Sequence, residues 1–241
     1  MDRRVVTIEE LLGMDLAALK NMGGDSIARD MTREEFCHIF KLCEAMWIHD
    51  GRASSPHAEL TSGKCSDGFI NTPAVLQYTN LCELFSYQLM RLFLVHVVAN
   101  RLGWVIGSDH AAATLSYSLA ARLMCKHDFT EKGPGDTQLW RRHTIGPDEI
   151  VLQVEELVTT TATLERVRKG IIAGNTGPVK FEPFVLTLVH RSPHKTFDGV
   201  PIHYLQHFDI STWDPKDCPL CKQGSKRLRP KTNWVELTGK K

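Results

Sequence analysis

Ile150-Val151-Leu152-Gln153-Val154-Glu155-Glu156-Leu157-Val158-Thr159-Thr160-Thr161-Ala162-Thr163 decides how the rest of this chain is read. A short apolar run, Ile150–Val154, ends in two adjacent acids. A hydroxyl-rich turn and a helix-like segment, Leu164–Ile172, follow. The order predicts a buried strand whose carboxyl end opens a helix. Ligands of open α/β sheets bind in the crevice at such strand ends. The amides and dipole of the helix start favour a phosphate there, and two carboxylates just before it suit a sugar diol or a hydrated divalent cation. A glycine is expected in a phosphate cradle, and Thr159–Thr163 holds none.

Outward from this stretch, strand-like and helix-like segments alternate. Trp104–Gly107 reads as a short buried strand and about 111–124 as an alanine-rich helix. Phe184–His190 and Ile202–Leu205 read as further strands. Alternation of this kind implies a mainly parallel central sheet flanked by helices on both faces. Thr7 with Glu10, and Thr32 with Glu35, are capping-box spacings. Phe36, Ile39, Phe40, Cys43 and Trp47 share one face of the helix that the second opens. Residues 1–50 are therefore expected to form a helical N-terminal extension, with Gly23-Gly24 as a break. Residues 51–210 are the core domain, and 51–74 within it reads as loop with an extended piece at 68–71. Residues 211–241 are a C-terminal tail. The polar segment Lys126–Asp148, with Gly133-Pro134-Gly135 at its tip, is too long for an ordinary connection and predicts a functional lid.

Composition narrows the function classes. Among 241 residues, 29 Lys and Arg against 28 Asp and Glu leave a charge of +1, so no global basic field calls for nucleic acid or a membrane surface. The start, Met1-Asp2-Arg3-Arg4, leads into no apolar signal core. The most apolar stretch, Leu81–Leu102, carries Glu83, Gln88, Arg91 and His96, which suits a buried amphipathic helix. Seven scattered cysteines point to a reducing, cytoplasmic setting.

Four stretches in one order carry a family resemblance. Val151–Thr163 resembles the phosphoribosyl-diphosphate signature of type I phosphoribosyltransferases. Ser62-Gly63-Lys64-Cys65-Ser66-Asp67-Gly68-Phe69-Ile70-Asn71 resembles the base-side loop of the orotate phosphoribosyltransferases. Phe129–Lys132 through Leu139–Arg142 resembles that family's flexible catalytic loop. Asp214-Pro215-Lys216-Asp217-Cys218-Pro219-Leu220-Cys221-Lys222-Gln223-Gly224 resembles a tail found in a bacterial and archaeal branch. The resemblance implies a type I phosphoribosyltransferase-like α/β fold with the N-terminal helices as a hood. It also implies a homodimer that takes phosphoribosyl diphosphate, Mg²⁺ and a nucleobase, orotate first.

Carried over residue by residue, Glu155 and Glu156 would hold the ribose hydroxyls, directly or through Mg²⁺. Thr159, Thr160, Thr161, Ala162 and Thr163 would cradle the 5-phosphate. Lys132 would reach the pyrophosphate from the moving loop, with Ser108, Asp109 and Arg141 also on the diphosphate side. Lys64, Ser66, Phe69, Ile70 and Arg191 would form the base side.

The chain departs from the family pattern at defined positions. Thr161 replaces a family glycine, which predicts strain if the backbone there needs positive φ. Gly107-Ser108-Asp109-His110-Ala111-Ala112-Ala113 stands where a glycine-rich pyrophosphate loop is usual, so alanines replace glycines and Asp109 puts an anion beside an anion seat. Thr61 stands where many orotate enzymes carry lysine, and Glu155 where aspartate is usual. Two further readings keep the fold: a binding or regulatory protein without turnover, and a transferase for another base. Cys218 and Cys221 have the spacing of half a zinc site. His203 and His207 are the candidates to complete it, against a reading as packed, reduced thiols. The basic tail, Lys222 to Lys231, reads as a solvated terminus.

Overall fold

Thr7 and Thr32 each close the capping box that their spacing predicts. Each hydroxyl accepts the amide of the glutamate three residues on, and that glutamate's carboxylate accepts the threonine amide. These caps open α1 (Ile8–Leu12) and α3 (Arg33–Leu42), with α2 (Leu16–Lys20) between them. The computed structural model describes residues 5–97 and 102–239. The sequence reading of residues 1–4, and of the 98–101 part of the Leu81–Leu102 helix, lies outside them.

The N-terminal helices are built into the main core rather than appended to it. Leu11, Leu19, Ile27, Phe36 and Phe40 share one apolar cluster with the central sheet. Phe36 stacks on Phe40 at 4.3 Å, meets Phe85 edge-on at 5.4 Å and lies 6.0 Å from Phe208. Glu35 is fully buried, and Arg29 at 2.5 Å supplies its counter-charge. The helical reading of 1–50 fails at its end. The chain turns through Glu44 at φ 51° and enters β1 (Met46–Ile48).

The stretch read as loop, 51–74, contains β2 (His57–Glu59), β3 (Cys65–Ser66) and the start of α4 (Thr72–Leu76), and the extended piece expected at 68–71 is β4 (Gly68–Ile70). Strands of two or three residues are too short for a period to show in sequence. Then α5 (Thr79–His96) packs on the sheet, and its Gln88 amide donates to the carbonyls of Ile27 and Arg29.

The central sheet begins with β5 (Leu102–Gly107), followed by α6 (Ala111–Leu123) and β6 (Lys126–Phe129). Next come a hairpin of β7 (Glu131–Lys132) and β8 (Gln138–Leu139), then β9 (Ile150–Val158), α7 (Ala162–Gly174) and β10 (Lys180–Phe181). The sheet closes with β11 (Val185–His190), β12 (Thr196–Phe197) and β13 (Val200–His207). The strand order is β12-β13-β11-β9-β5-β6, with β10 beside the start of β9. Every pairing is parallel except that of β12 with β13. The mainly parallel sheet expected from the sequence is present.

Alternation sorts the two faces. Val105, Leu152, Val154, Leu186 and Leu188 point into the core under α5 and α6. Trp104, Ile106 and Val151 meet Val167 and Ile171 of α7 on the other side. Burial on both faces accounts for the near-continuous apolar runs.

Lys126–Asp148 is not one long connection, because its first four residues extend the sheet as β6. Only the hairpin beyond stands away, and its stem docks on α7. A Cβ at Gly170 would fall 2.3 Å from the Gln138 carbonyl oxygen, and one at Gly174 would fall 2.1 Å from that of Trp140. The helix and stem therefore meet backbone to backbone.

The tail adds β14 (Thr212–Trp213), α8 (Pro219–Lys222), β15 (Arg227–Leu228) and α9 (Trp234–Thr238). It returns to the short strands to form a second sheet, β14-β3-β2-β15. Among the described residues, no helix is long and apolar enough to cross a membrane.

Candidate active site at the carboxyl ends of the strands

From β5 the chain turns into α6 on one face, whereas from the neighbouring β9 it turns into α7 on the other. The crevice outside two such strands is where open α/β sheets bind ligands. Ser108 and Glu155 meet at this point. The Ser108 amide donates to Glu155 Oε1 at 3.2 Å and the Ser108 hydroxyl to Oε2 at 2.7 Å.

Glu155 is buried, and β9 runs past it to Val158, so both acids lie inside the strand rather than at its end. Burial, with the Glu156 and Asp109 charges beside it, pushes the Glu155 carboxyl up to about 8, against the pull of the Ser108 hydrogen bonds. Burial and then Asp109 raise Glu156 as well. Glu156 Oε2 is buried with no hydrogen-bond partner among the described residues. Three crowded carboxylates and an orphaned oxygen fit a divalent cation or the hydroxyls of a sugar.

The phosphate seats tolerate their substitutions unequally. Thr161 has φ −81°, so its backbone does not require a glycine. Ala111 and Ala112 lie in the first turn of α6. The unfavourable conformation falls instead on His110, at φ 63° and ψ −121°. Such strain costs on the order of 1–3 kcal/mol and gathers at functional sites. Gly107 is retained where a Cβ would stand 2.8 Å from the Ala112 carbonyl oxygen and 3.0 Å from that of Val154.

At the start of α7, Thr161 makes no side-chain cap, so the first-turn amides of this 13-residue helix lack that partner. Thr159, Thr160 and Ala162 are exposed around it. The Thr163 hydroxyl accepts from Arg166 at 3.2 Å, and Arg166 also holds Asp136 at the hairpin tip. Gln138 in the hairpin donates to Asp109 at 2.9 Å. Lys132 is exposed, with Asp136 at 3.9 Å. Arg142 pairs with Glu131 and Asp128, whereas Arg141 is exposed with no hydrogen-bond or ion-pair partner among the described residues.

A cleft of about 770 Å³ lies between Thr159 and Thr160, just past the end of β9, and Thr212 of the second sheet. It brings together Lys64, Thr159, Thr160 and Arg191, along with Lys195, His207 and Asp209. The Arg191 amide donates to Val158 at 2.8 Å, which ties the cleft to the end of β9. Burial lowers the Arg191 pKa, and the nearby Asp67 carboxylate opposes that.

The rest of the expected base side lies elsewhere. The Ser66 hydroxyl is spent on the carbonyls of Gly68 and Ser211, at 2.8 Å each. Ile70 is core, because alternation along β4 turns it inward. Phe69 faces Trp234 at 6.2 Å and lines a separate small cleft with Thr61. Sequence reasoning missed Gln138, Arg166, Asp67 and the Asp209–His207–His190 chain. In that chain His207 Nε2 lies 3.0 Å from Asp209, and its Nδ1 lies 2.7 Å from His190 Nδ1. Arg166, His190, His207 and Asp209 belong to no local motif, and Asp67 and Gln138 lie within the stretches that carry the resemblance but gain their partners only through the fold.

No family model matches the chain. Individual proteins do. The orotate phosphoribosyltransferase of Caldicellulosiruptor bescii is 32% identical over 200 residues, covering 83% of this chain and 97% of the relative. That of Caldicellulosiruptor saccharolyticus is 32% identical over 206 residues, covering 86% of this chain and all of the relative. Among solved structures, Leishmania donovani UMP synthase matches with a TM-score of 0.53 at 14% identity, over 72% of this chain and 36% of that one. Francisella tularensis orotate phosphoribosyltransferase matches with a TM-score of 0.50 at 14% identity, over 72% and 86% of the two chains. The structural likenesses support the fold, and the sequence relationship runs over nearly the whole of both relatives. On that relationship the chain belongs to the orotate phosphoribosyltransferase family.

Proposed function

We propose that this protein transfers the phosphoribosyl group of phosphoribosyl diphosphate to orotate and releases pyrophosphate, a step of pyrimidine nucleotide biosynthesis. One observation carries the reading beyond family membership. The paired acids of β9 lead directly into Thr159 and Thr160, which precede α7 and also line the Lys64–Arg191 cleft, and this succession supports a phosphoribosyl seat beside a base seat.

In the reaction, a ring nitrogen of orotate gives up its proton and bonds to the anomeric carbon as the bond from that carbon to the pyrophosphate oxygen breaks. The proton ends on the released pyrophosphate or in solvent, and the electron pair of the broken bond leaves with pyrophosphate. Charge develops on the ribose ring in an oxocarbenium-like state, as in glycoside cleavage. Glu155 and Glu156 hold the ribose hydroxyls and place their negative charge beside that carbon. Amides and hydroxyls of 159–163 fix the 5-phosphate. Ser108, Asp109 and Arg141 border the diphosphate, and Lys132 reaches it from the hairpin by leaving Asp136. Glu155 and Glu156, directly or through the ribose hydroxyls, would hold Mg²⁺, whose charge would offset that of the diphosphate. Asp109 would then face a neutralised group rather than a bare anion.

Lys64 and Arg191 provide the cations for the orotate carboxylate, and closure of the hairpin excludes water. A homodimer and a cytoplasmic location belong to the same reading, and seven cysteines outside any disulfide support the location.

A panel of bases with phosphoribosyl diphosphate and Mg²⁺, scored for pyrophosphate, tests the proposal. Orotate should give the highest kcat/KM. Preference for a purine would refute the base assignment. Binding of phosphoribosyl diphosphate without turnover on any base would instead favour the regulatory reading, which Asp109 and the strained His110 motivate.

A further inference from the structure

The C-terminal Cys218-Pro219-Leu220-Cys221 meets two residues far away in sequence. His57 on β2, Cys65 on β3, Cys218 and Cys221 place their ligand atoms within 4.8 Å of one another. Cys65 Sγ lies 3.6 Å from Cys221 Sγ, and His57 Nε2 lies 3.4 Å from Cys221 Sγ and 3.8 Å from Cys218 Sγ. A tetrahedral zinc with the usual Zn–S and Zn–N bond lengths has edges of about 3.8 Å between sulfurs and about 3.6 Å between sulfur and nitrogen. We propose that these four side chains form a structural Cys₃His zinc site, separate from the acids of the crevice.

Three further features favour metal over packed thiols. First, the histidine is oriented for ligation. The Ser225 hydroxyl donates to the Ser55 carbonyl at 2.7 Å, so toward His57 Nδ1, at 2.8 Å, it must accept. The proton is therefore on Nδ1, and the Nε2 lone pair faces the three sulfurs. Second, His57, Cys65 and Cys218 are completely buried and Cys221 half-buried, which closes the site as structural zinc requires. Third, the turn is shaped around sulfur. The Cys221 amide points at Cys218 Sγ at 3.4 Å, and Gly224, at φ 82°, reverses the chain so that it returns as β15 beside β2.

Three thiolates, one neutral imidazole and Zn²⁺ carry a net charge of −1. Arg227, which acts electrostatically on His57, partly offsets it. The ion would tie the tail to β2 and β3. Cys65 adjoins Ser66, whose hydroxyl holds the turn into Gly68 beside the Lys64–Arg191 cleft. The site would thus fix the base-side loop without touching substrate. His203 and His207 are not ligands. His203 stacks on His96 at 3.7 Å, and His207 bonds His190 and Asp209.

The test is the metal content of the full chain purified without chelator, with X-ray absorption at the zinc edge. The expected result is one zinc per chain with three sulfurs and one nitrogen in its first shell. Replacement by Co²⁺ should give the intense visible bands and thiolate charge transfer of a tetrahedral site, and Cys221→Ser should lower zinc occupancy at least tenfold. A chain without stoichiometric zinc, a shell lacking sulfur, iron in place of zinc, or full zinc retention by a folded Cys221→Ser protein would overturn the proposal. Should Cys221→Ser fail to fold, the absorption spectrum of the unmodified chain decides alone.

Discussion

Ser108 grips both oxygens of the Glu155 carboxylate, with its amide on one and its hydroxyl on the other. The grip spans the two strands whose loops diverge to opposite faces, so it sets the geometry of the crevice. It also leaves a buried carboxyl that burial and two acidic neighbours raise from 4.5 to about 8. Between those values the folded chain holds a proton that the unfolded chain has lost. This carboxyl therefore supports folding fully below about 4.5, and its support is lost as pH rises toward about 8. We expect the Tm of the ligand-free protein to fall less over this window in Glu155→Gln than in the unmodified chain. An equal decline in both would remove Glu155 as the cause.

The same carboxyl links substrate binding to proton release. If phosphoribosyl diphosphate and Mg²⁺ engage ionised Glu155, binding at neutral pH should expel a fraction of a proton. Titration calorimetry in buffers of different ionisation enthalpy measures it. A binding enthalpy independent of buffer would argue against ionisation on binding.

Lys132 is exposed on the hairpin and lies 3.9 Å from Asp136. An exposed pair of this kind is worth at most about 1 kcal/mol, so Lys132→Ala should barely move the Tm. A cation directed at developing pyrophosphate charge is worth far more. By the standard of electrostatic transition-state donors, kcat should fall roughly 10²-fold or more while KM for orotate changes little. Unchanged kcat in a folded variant would remove Lys132 from the chemistry.

Gly170 lies where α7 meets the hairpin stem, with no room for a methyl group beside the Gln138 carbonyl. Gly170→Ala must push helix and stem apart at a cost of roughly 1–3 kcal/mol. Because Gln138 also holds Asp109, the displacement should reach the diphosphate side. A lower Tm together with a lower kcat is the expected result. A variant as stable and active as the parent would show that the stem does not dock on α7 as described.

Arg191 is half-buried at the cleft and bonded through its amide to the end of β9. Loss of a charged hydrogen bond costs about 1.5–3 kcal/mol, so Arg191→Ala should raise KM for orotate by roughly tenfold to a hundredfold. KM for phosphoribosyl diphosphate should move far less. The reverse pattern in steady-state kinetics would place Arg191 on the other substrate.

β5, β9 and β11 were legible because burial on both faces makes their residues nearly all apolar, whereas β6, Lys126-His127-Asp128-Phe129, reads as loop because its residues are mostly polar. α1 and α3 were legible because threonine caps and apolar periodicity mark them. The acids of β9 announced the crevice by their position. What stayed hidden depends on long-range contact. Phe69 and Ile70 lie in a strand three residues long, so no pattern told which face each takes. Arg166 looks like any helix arginine until the hairpin brings Asp136 to it. His57 and Cys65 stand some 160 residues from Cys218 and Cys221, and only the second sheet joins them. Thr161 shows the opposite error, since the glycine expected there reflects a backbone conformation that this loop does not adopt.

The central claim is that this crevice transfers a phosphoribosyl group to orotate. The most direct measurement follows formation of the orotate nucleotide from orotate, phosphoribosyl diphosphate and Mg²⁺, with pyrophosphate quantified in the same reaction. We expect nucleotide and pyrophosphate to appear in equal amounts with the unmodified chain, and both to be lost with Glu155→Gln. Absence of nucleotide from a folded, metal-supplied protein, or undiminished formation by Glu155→Gln, would contradict the account.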